Sequence, residues 1–116
     1  MSDIKRTNVE VRYSDMAVYN GVAYLAGQVP DDASLDMQGQ TRQVLETIDR
    51  LLAQAGTNKD RLLMVQIFIS NIAEIDEMNK AWDAWVSKTN APPRATVEAR
   101  LANPDWKVEI IVTAAV

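Results

Sequence analysis

The apolar positions of this chain follow two periods. Between about Leu35 and Ala55 they fall at Met37, Val44, Leu45, Ile48, Leu51, Leu52 and Ala55, the i, i+3, i+4, i+7 spacing of a helix with one buried stripe. Gly56 follows as the residue that ends it, because glycine enters the left-handed C′ conformation without a Cβ penalty. The other stripe, with Arg42, Gln43, Glu46, Asp49 and Arg50, is an ordinary solvated face. A second helical period runs from about Ile75 to Lys88 through Met78, Ala81, Trp82, Trp85 and Val86, until Asn90-Ala91-Pro92 stops it. At that spacing Trp82 and Trp85 predict core packing rather than an aromatic binding stripe.

Elsewhere the period is two. Ile4, Val9 and Val11 alternate weakly and predict a short edge strand. Strands near Met16–Tyr19 and Val22–Ala26 flank Asn20-Gly21, the signal for a two-residue hairpin with positive φ at both turn positions. Leu62 to Ile69 is almost continuously apolar, as expected of a mid-sheet strand covered on both faces. In the last quarter, Val97, Ala99 and Leu101 alternate with Thr96, Glu98 and Arg100. After Asn103-Pro104-Asp105, Val108, Ile110, Val112 and Ala114 alternate with Glu109, Ile111 and Thr113. These two runs predict a hairpin whose apolar sets share one face. Thr96, Glu98 and Arg100 then face the same way as Glu109, Ile111 and Thr113, with Arg94 at the entrance behind Pro92-Pro93. A face mixing Ile111 with Glu109 suits neither water nor a monomer core, so a second subunit is its expected cover. The order strand, hairpin, helix, strand, helix, hairpin predicts an α+β fold, a mixed sheet with two helices packed on one face.

The length of 116 residues fits one domain, residues 1–116. With 47% hydrophobic and 24% charged residues the composition is globular. The net charge of −4, with no run of basic residues, argues against nucleic acid or an anionic membrane as partner. Met1 to Glu10 has no apolar segment of a secretory leader, and no apolar run is long enough to cross a bilayer, which predicts a cytoplasmic protein. Cysteine and histidine are both absent. Their absence excludes disulfides, thiolate or imidazole zinc sites and Ser-His or Cys-His nucleophile pairs.

The remaining chemistry lies in a few polar residues. Arg94 carries a planar, permanently charged fork that suits either a carboxylate ligand or a surface ion pair with Glu98. Glu109 suits either general-base work or a cross-strand pairing with Arg100. Lys107, beside the turn, fits a solvated lysine, and Asp31-Asp32 marks a loop rather than a metal site.

The run from Pro93-Arg94 through Val97-Glu98 to Lys107-Val108-Glu109-Ile110 resembles the RidA (YjgF) family of imine and enamine deaminases, as do Tyr13, Gly27-Gln28-Val29-Pro30 and Asn79-Lys80-Ala81-Trp82. The chain departs from the best-known members at Ala26, where serine is common, and at Thr96, where cysteine is common, which marks a divergent subgroup. The resemblance implies a chorismate-mutase-like fold, a homotrimer with sites between subunits and no cofactor. It further implies that Arg94 clamps the carboxylate of a small 2-imino or 2-keto acid and that Glu109 activates the attacking water. Tyr13, Ala26, Gly27, Asn79 and Thr96 would line the substrate. A non-catalytic module of the same fold that merely holds a small carboxylate is the alternative, favoured by Ala26 and Thr96.

Overall fold

A computed structural model describes residues 3–116. Asn20 and Gly21 take φ of +50° and +79°, so β2 (Ser14–Tyr19) and β3 (Val22–Leu25) fold back on each other as the predicted hairpin. β1 (Lys5–Val9) pairs antiparallel with the outer side of β2. Beyond β3 lie β6 (Val108–Ala115), β4 (Leu62–Ile69) and β5 (Arg94–Glu98), giving one six-stranded sheet in the order β1-β2-β3-β6-β4-β5.

Helix α1 (Met37–Gln54) starts where the Asp36 carboxylate accepts the amide of Gly39 at 2.8 Å. It ends at Ala55, and Gly56 follows at φ +77° as expected. Helix α2 (Ile75–Trp85) stops short of Lys88 because Val86 has turned to an extended conformation. Both helices cover the same sheet face. Val44, Leu45, Ile48, Leu51, Leu52, Met78 and Trp82 meet Met16, Ala23, Leu25, Val65, Ile67, Ile69, Val108, Ile110 and Val112 in one buried cluster. Each large aliphatic side chain fully buried there contributes about 1.5–3 kcal/mol. The α+β architecture with two helices on one sheet face is therefore as predicted.

The predicted terminal hairpin is not formed. β5 runs parallel to β4, and β6 runs antiparallel to the other edge of β4, so β4 separates the two strands. The apolar β4 offers both hydrogen-bonding edges to the interior of the sheet, and the segment 99–107 crosses its end instead of turning tightly. Ala99 N donates to Ile69 O and Ser70 N to Lys107 O, which closes that crossing. The faces change accordingly. Arg94, Thr96 and Glu98 are register partners of Val65, Ile67 and Ile69, which in turn partner Val112, Ile110 and Val108. Arg94, Thr96 and Glu98 thus lie on the helix-covered face, opposite to Glu109, Ile111 and Thr113. The shared face expected for Arg94, Thr96 and Glu109 within one chain does not exist, and Arg100 lies beyond the end of β5.

The other face is uncovered in the single chain. It carries the rows Tyr24–Thr113–Met64, Ile111–Gln66–Ala95 and Glu109–Phe68–Val97. Tyr24 is 50% exposed, and Met64 and Val97 are each 46% exposed. β4 is consequently buried on one face only, and its register shifts between Leu62 and Met64.

One buried polar residue ties loop to loop. The Gln40 amide nitrogen lies 3.0–3.1 Å from the carbonyl oxygens of Ala33, Leu35 and Asp105, and its oxygen accepts the Lys107 amide at 2.7 Å. This bridge fixes the segment that delivers Trp106 and the start of β6.

Candidate functional site

Beyond β3 the chain keeps to the edge of β6. Gln28 N donates to Ile110 O at 2.9 Å and Ile110 N returns a bond to Gln28 O at 3.0 Å, while Ala26 N donates to Asp15 O at 2.9 Å. Ala26 and Gly27 are thereby drawn against Glu109, whose carboxyl group lies where a Gly27 side chain would begin. A cleft of about 490 Å³ opens here, lined by Tyr13, Asp15, Ala26, Gly27, Gln28, Val29, Asp31, Thr47, Arg50, Trp106 and Glu109. Four predicted residues, Tyr13, Ala26, Gly27 and Glu109, meet in it. Asp15, Gln28, Arg50 and Trp106 join them without having been singled out. Gln28 lies within the run Gly27-Gln28-Val29-Pro30, whereas Arg50 and Trp106 arrive from α1 and the crossing loop, and no sequence period connects them to Glu109. Three carboxylates, Asp15, Asp31 and Glu109, face one guanidinium, Arg50, so the cleft is poorly suited to hold an anion by itself.

The other predicted residues gather at the opposite sheet edge. Arg94 is exposed on β5, its Nη1 donates to Asn79 Oδ1 at 2.8 Å, and its Cζ lies 5.3 Å from the Trp82 ring centroid. Trp82, 5% exposed, packs against Trp85 at 5.4 Å between centroids. The Trp85 indole N–H in turn donates to Asp49 Oδ2 on α1 at 2.9 Å. Trp82 is a core residue as predicted, and it also serves as a platform for the guanidinium. Thr96 follows on the same face of β5, and its Oγ1 is buried with no hydrogen-bond partner among the described residues.

The Arg94–Glu98 ion pair weighed from sequence is not formed. Glu98 Oε2 instead accepts the Ile72 amide at 2.8 Å. The Arg100–Glu109 pair is likewise absent among the described residues, where the salt bridge present joins Lys80 to Glu77. With one N–H engaged by Asn79 and one face on Trp82, the Arg94 fork keeps donors for a ligand.

The two groups do not meet within the chain. Arg94 shares a register row with Val112, and Glu109 lies on the same strand as Val112 but three positions away. They are separated by two inter-strand spacings, roughly 10 Å, by about 10 Å along the strand, and by the sheet itself. A larger cavity of about 600 Å³, lined by Ser70, Glu98, Ala99, Arg100, Leu101, Asn103, Pro104 and Trp106, contains none of the candidate residues. Among the described residues no three acidic side chains gather closely enough to hold a metal ion, and no helix is long and apolar enough to cross a membrane.

The sequence model of the family described as endoribonuclease L-PSP matches residues 4–116. A RutC family protein of Haemophilus ducreyi is 57% identical over 113 residues, 97% of each chain. Among solved structures, NMB1025 of Neisseria meningitidis, described as a member of the YjgF protein family, superposes with a TM-score of 0.95 at 42% identity, covering 97% of this chain and 94% of that one. YyfA of Yersinia pestis, described as belonging to the conserved Rid protein family, has a TM-score of 0.85 at 37% identity, covering 93% and 90%.

Proposed function

The chain belongs to the RidA (YjgF, L-PSP) family, and from that premise we propose that it hydrolyses small 2-imino acids, or their enamine tautomers, to 2-keto acids and ammonia. The observation that carries this reading is the division of labour between the two groups of residues. A cleft dominated by carboxylates repels the substrate's own carboxylate, whereas the cation at the opposite edge, steadied by Asn79 and Trp82, attracts it. Neither group suffices alone.

Arg94 binds the substrate carboxylate with two parallel N–H···O bonds. Glu109 accepts a proton from water as its oxygen attacks the imine carbon. The C=N electron pair moves to nitrogen, which takes the proton back from Glu109; the hydroxyl proton of the resulting amino alcohol then passes to the amine, and the C–N bond breaks to leave ammonia and the 2-keto acid. Tyr13, Ala26 and Gly27 wall the water side, and the Thr96 hydroxyl, buried without a partner, reaches a polar ligand atom beside Arg94 by rotating about χ1. Because the imine carbon is already electrophilic, positioning and one proton acceptor suffice, and no cofactor is required.

Joining the groups requires two chains. We place Arg94, Asn79 and Thr96 of one subunit against the Glu109 cleft of the next in a homotrimer of single-domain chains, residues 1–116, with the uncovered sheet faces turned inward. The exposure of Tyr24, Met64 and Val97 supports such a cover. A net charge of −4 and an acidic cleft do not favour RNA as substrate.

The test is to generate an imino acid with an amino-acid oxidase and trap it with semicarbazide. The protein is expected to lower the trapped yield in proportion to its concentration. An unchanged yield, together with 2-keto acid binding that still depends on Arg94, would establish a carboxylate-binding module instead.

A further inference from the structure

Gly27 follows the end of β3, where the backbone is locked to β6 by the paired bonds between Gln28 and Ile110. Its φ is not in the left-handed region, so conformational freedom does not explain a glycine here. Space does. A Cβ on Gly27 would overlap Glu109 Oε2 outright and would stand 2.9 Å from Cδ and 3.1 Å from Cγ of the same side chain. All three of the nearest atoms belong to Glu109, and none belongs to the backbone or the helix layer. We propose that Gly27 is a positioning residue for the hydrolytic reaction: the room left by its missing side chain is the seat of the Glu109 carboxylate.

This inference rests on the assignment of Glu109 as proton acceptor. It differs from a packing role in a specific way. The atoms displaced by a methyl group are the far end of a flexible side chain at the mouth of a cleft, so the fold adapts by swinging the carboxyl away. A protein with alanine at this position keeps its backbone and its arginine clamp and loses the placement of one functional group. Misplacing a catalytic group by about 1 Å is enough to cost on the order of a hundredfold in rate.

The experiment compares Gly27→Ala, Glu109→Ala and the double variant in the full-length protein. Gly27→Ala is expected to melt within a few degrees of the parent and to bind pyruvate within about twofold of it, while its kcat for imine hydrolysis falls at least tenfold. In the Glu109→Ala background the added methyl group has no carboxylate to displace, so Gly27→Ala should produce no further loss. A readout independent of turnover is the side-chain carboxyl carbon resonance of Glu109 in 13C-glutamate-labelled protein, which should shift in Gly27→Ala while the other glutamate signals stay in place. An unmoved Glu109 resonance with unchanged kcat overturns the proposal, and so does an equal loss in the presence and absence of Glu109. If the parent does not hydrolyse imines, the functional reading fails by itself. The carboxyl resonance then still decides whether Gly27 seats Glu109.

Discussion

The arginine group and the glutamate group are held in place by opposite means. Arg94 stands on an edge strand with one neighbour, β4, and its long side chain is restrained by what touches it: the Asn79 carboxamide and the Trp82 ring. Glu109 stands on β6, between β4 and the Gln28 backbone that bridges to Ile110, where the strand is bonded on both sides. Its carboxylate is placed by room left empty at Gly27. An exposed edge position has to gain order from side-chain contacts, because each flexible rotamer otherwise costs entropy on binding. An interior strand already has backbone order, and needs only that nothing occupy the path of the side chain.

The largest effect is expected where the two groups are combined. Arg94→Ala and Glu109→Gln should each leave little activity. Co-expressed in equal amounts, they should recover about a quarter of the parent rate, because half the sites draw an intact arginine and half of those an intact glutamate from the neighbouring chain. A mixture no more active than its components would place both groups in one chain, or in no common site.

The single substitutions then separate chemistry from binding. Glu109→Gln keeps shape but removes the proton acceptor, so imine hydrolysis should slow by roughly a hundredfold or more, with pyruvate affinity within a few-fold of the parent. Parent-like turnover in this variant would make Glu109 structural. Arg94→Ala removes hydrogen bonds to a charged group worth about 1.5–3 kcal/mol, so calorimetry should find pyruvate bound about ten- to a hundredfold more weakly. The smallest effect belongs to the platform. Trp82→Phe weakens the cation–π contact by about 0.5–1 kcal/mol, and the KM should rise two- to fivefold with kcat nearly unchanged. A fall in kcat alone would contradict a role through Arg94.

Much of this architecture was legible in the residues. The stripe from Met37 to Leu52 produced α1, with Gly56 ending it, and Asn20-Gly21 produced the hairpin at positive φ. The apolar run Leu62–Ile69 became a strand inside the sheet. The residue pattern offered candidate side chains, but it did not show how they group. Tyr13, Ala26, Gly27 and Glu109 proved to be neighbours, and Asn79 proved to be a partner of Arg94, whereas Arg94 and Thr96 turned out to lie across the sheet from Glu109.

The physical reason lies in the range over which each signal acts. Helical periods, caps and two-residue turns depend on residues within a turn or two of one another, so the order of residues alone determined α1, α2 and the first hairpin. Alternation in a strand defines two faces of that strand but not which other strand lies beside it. The runs after Arg94 and before Val116 are equally good hairpin partners by pattern, and only the packed sheet revealed β4 inserted between them. That insertion carried Arg94 to the helix side and left Glu109 on the open face. The sequence determined which side chains were available for chemistry, and the tertiary structure decided that no single chain brings them together.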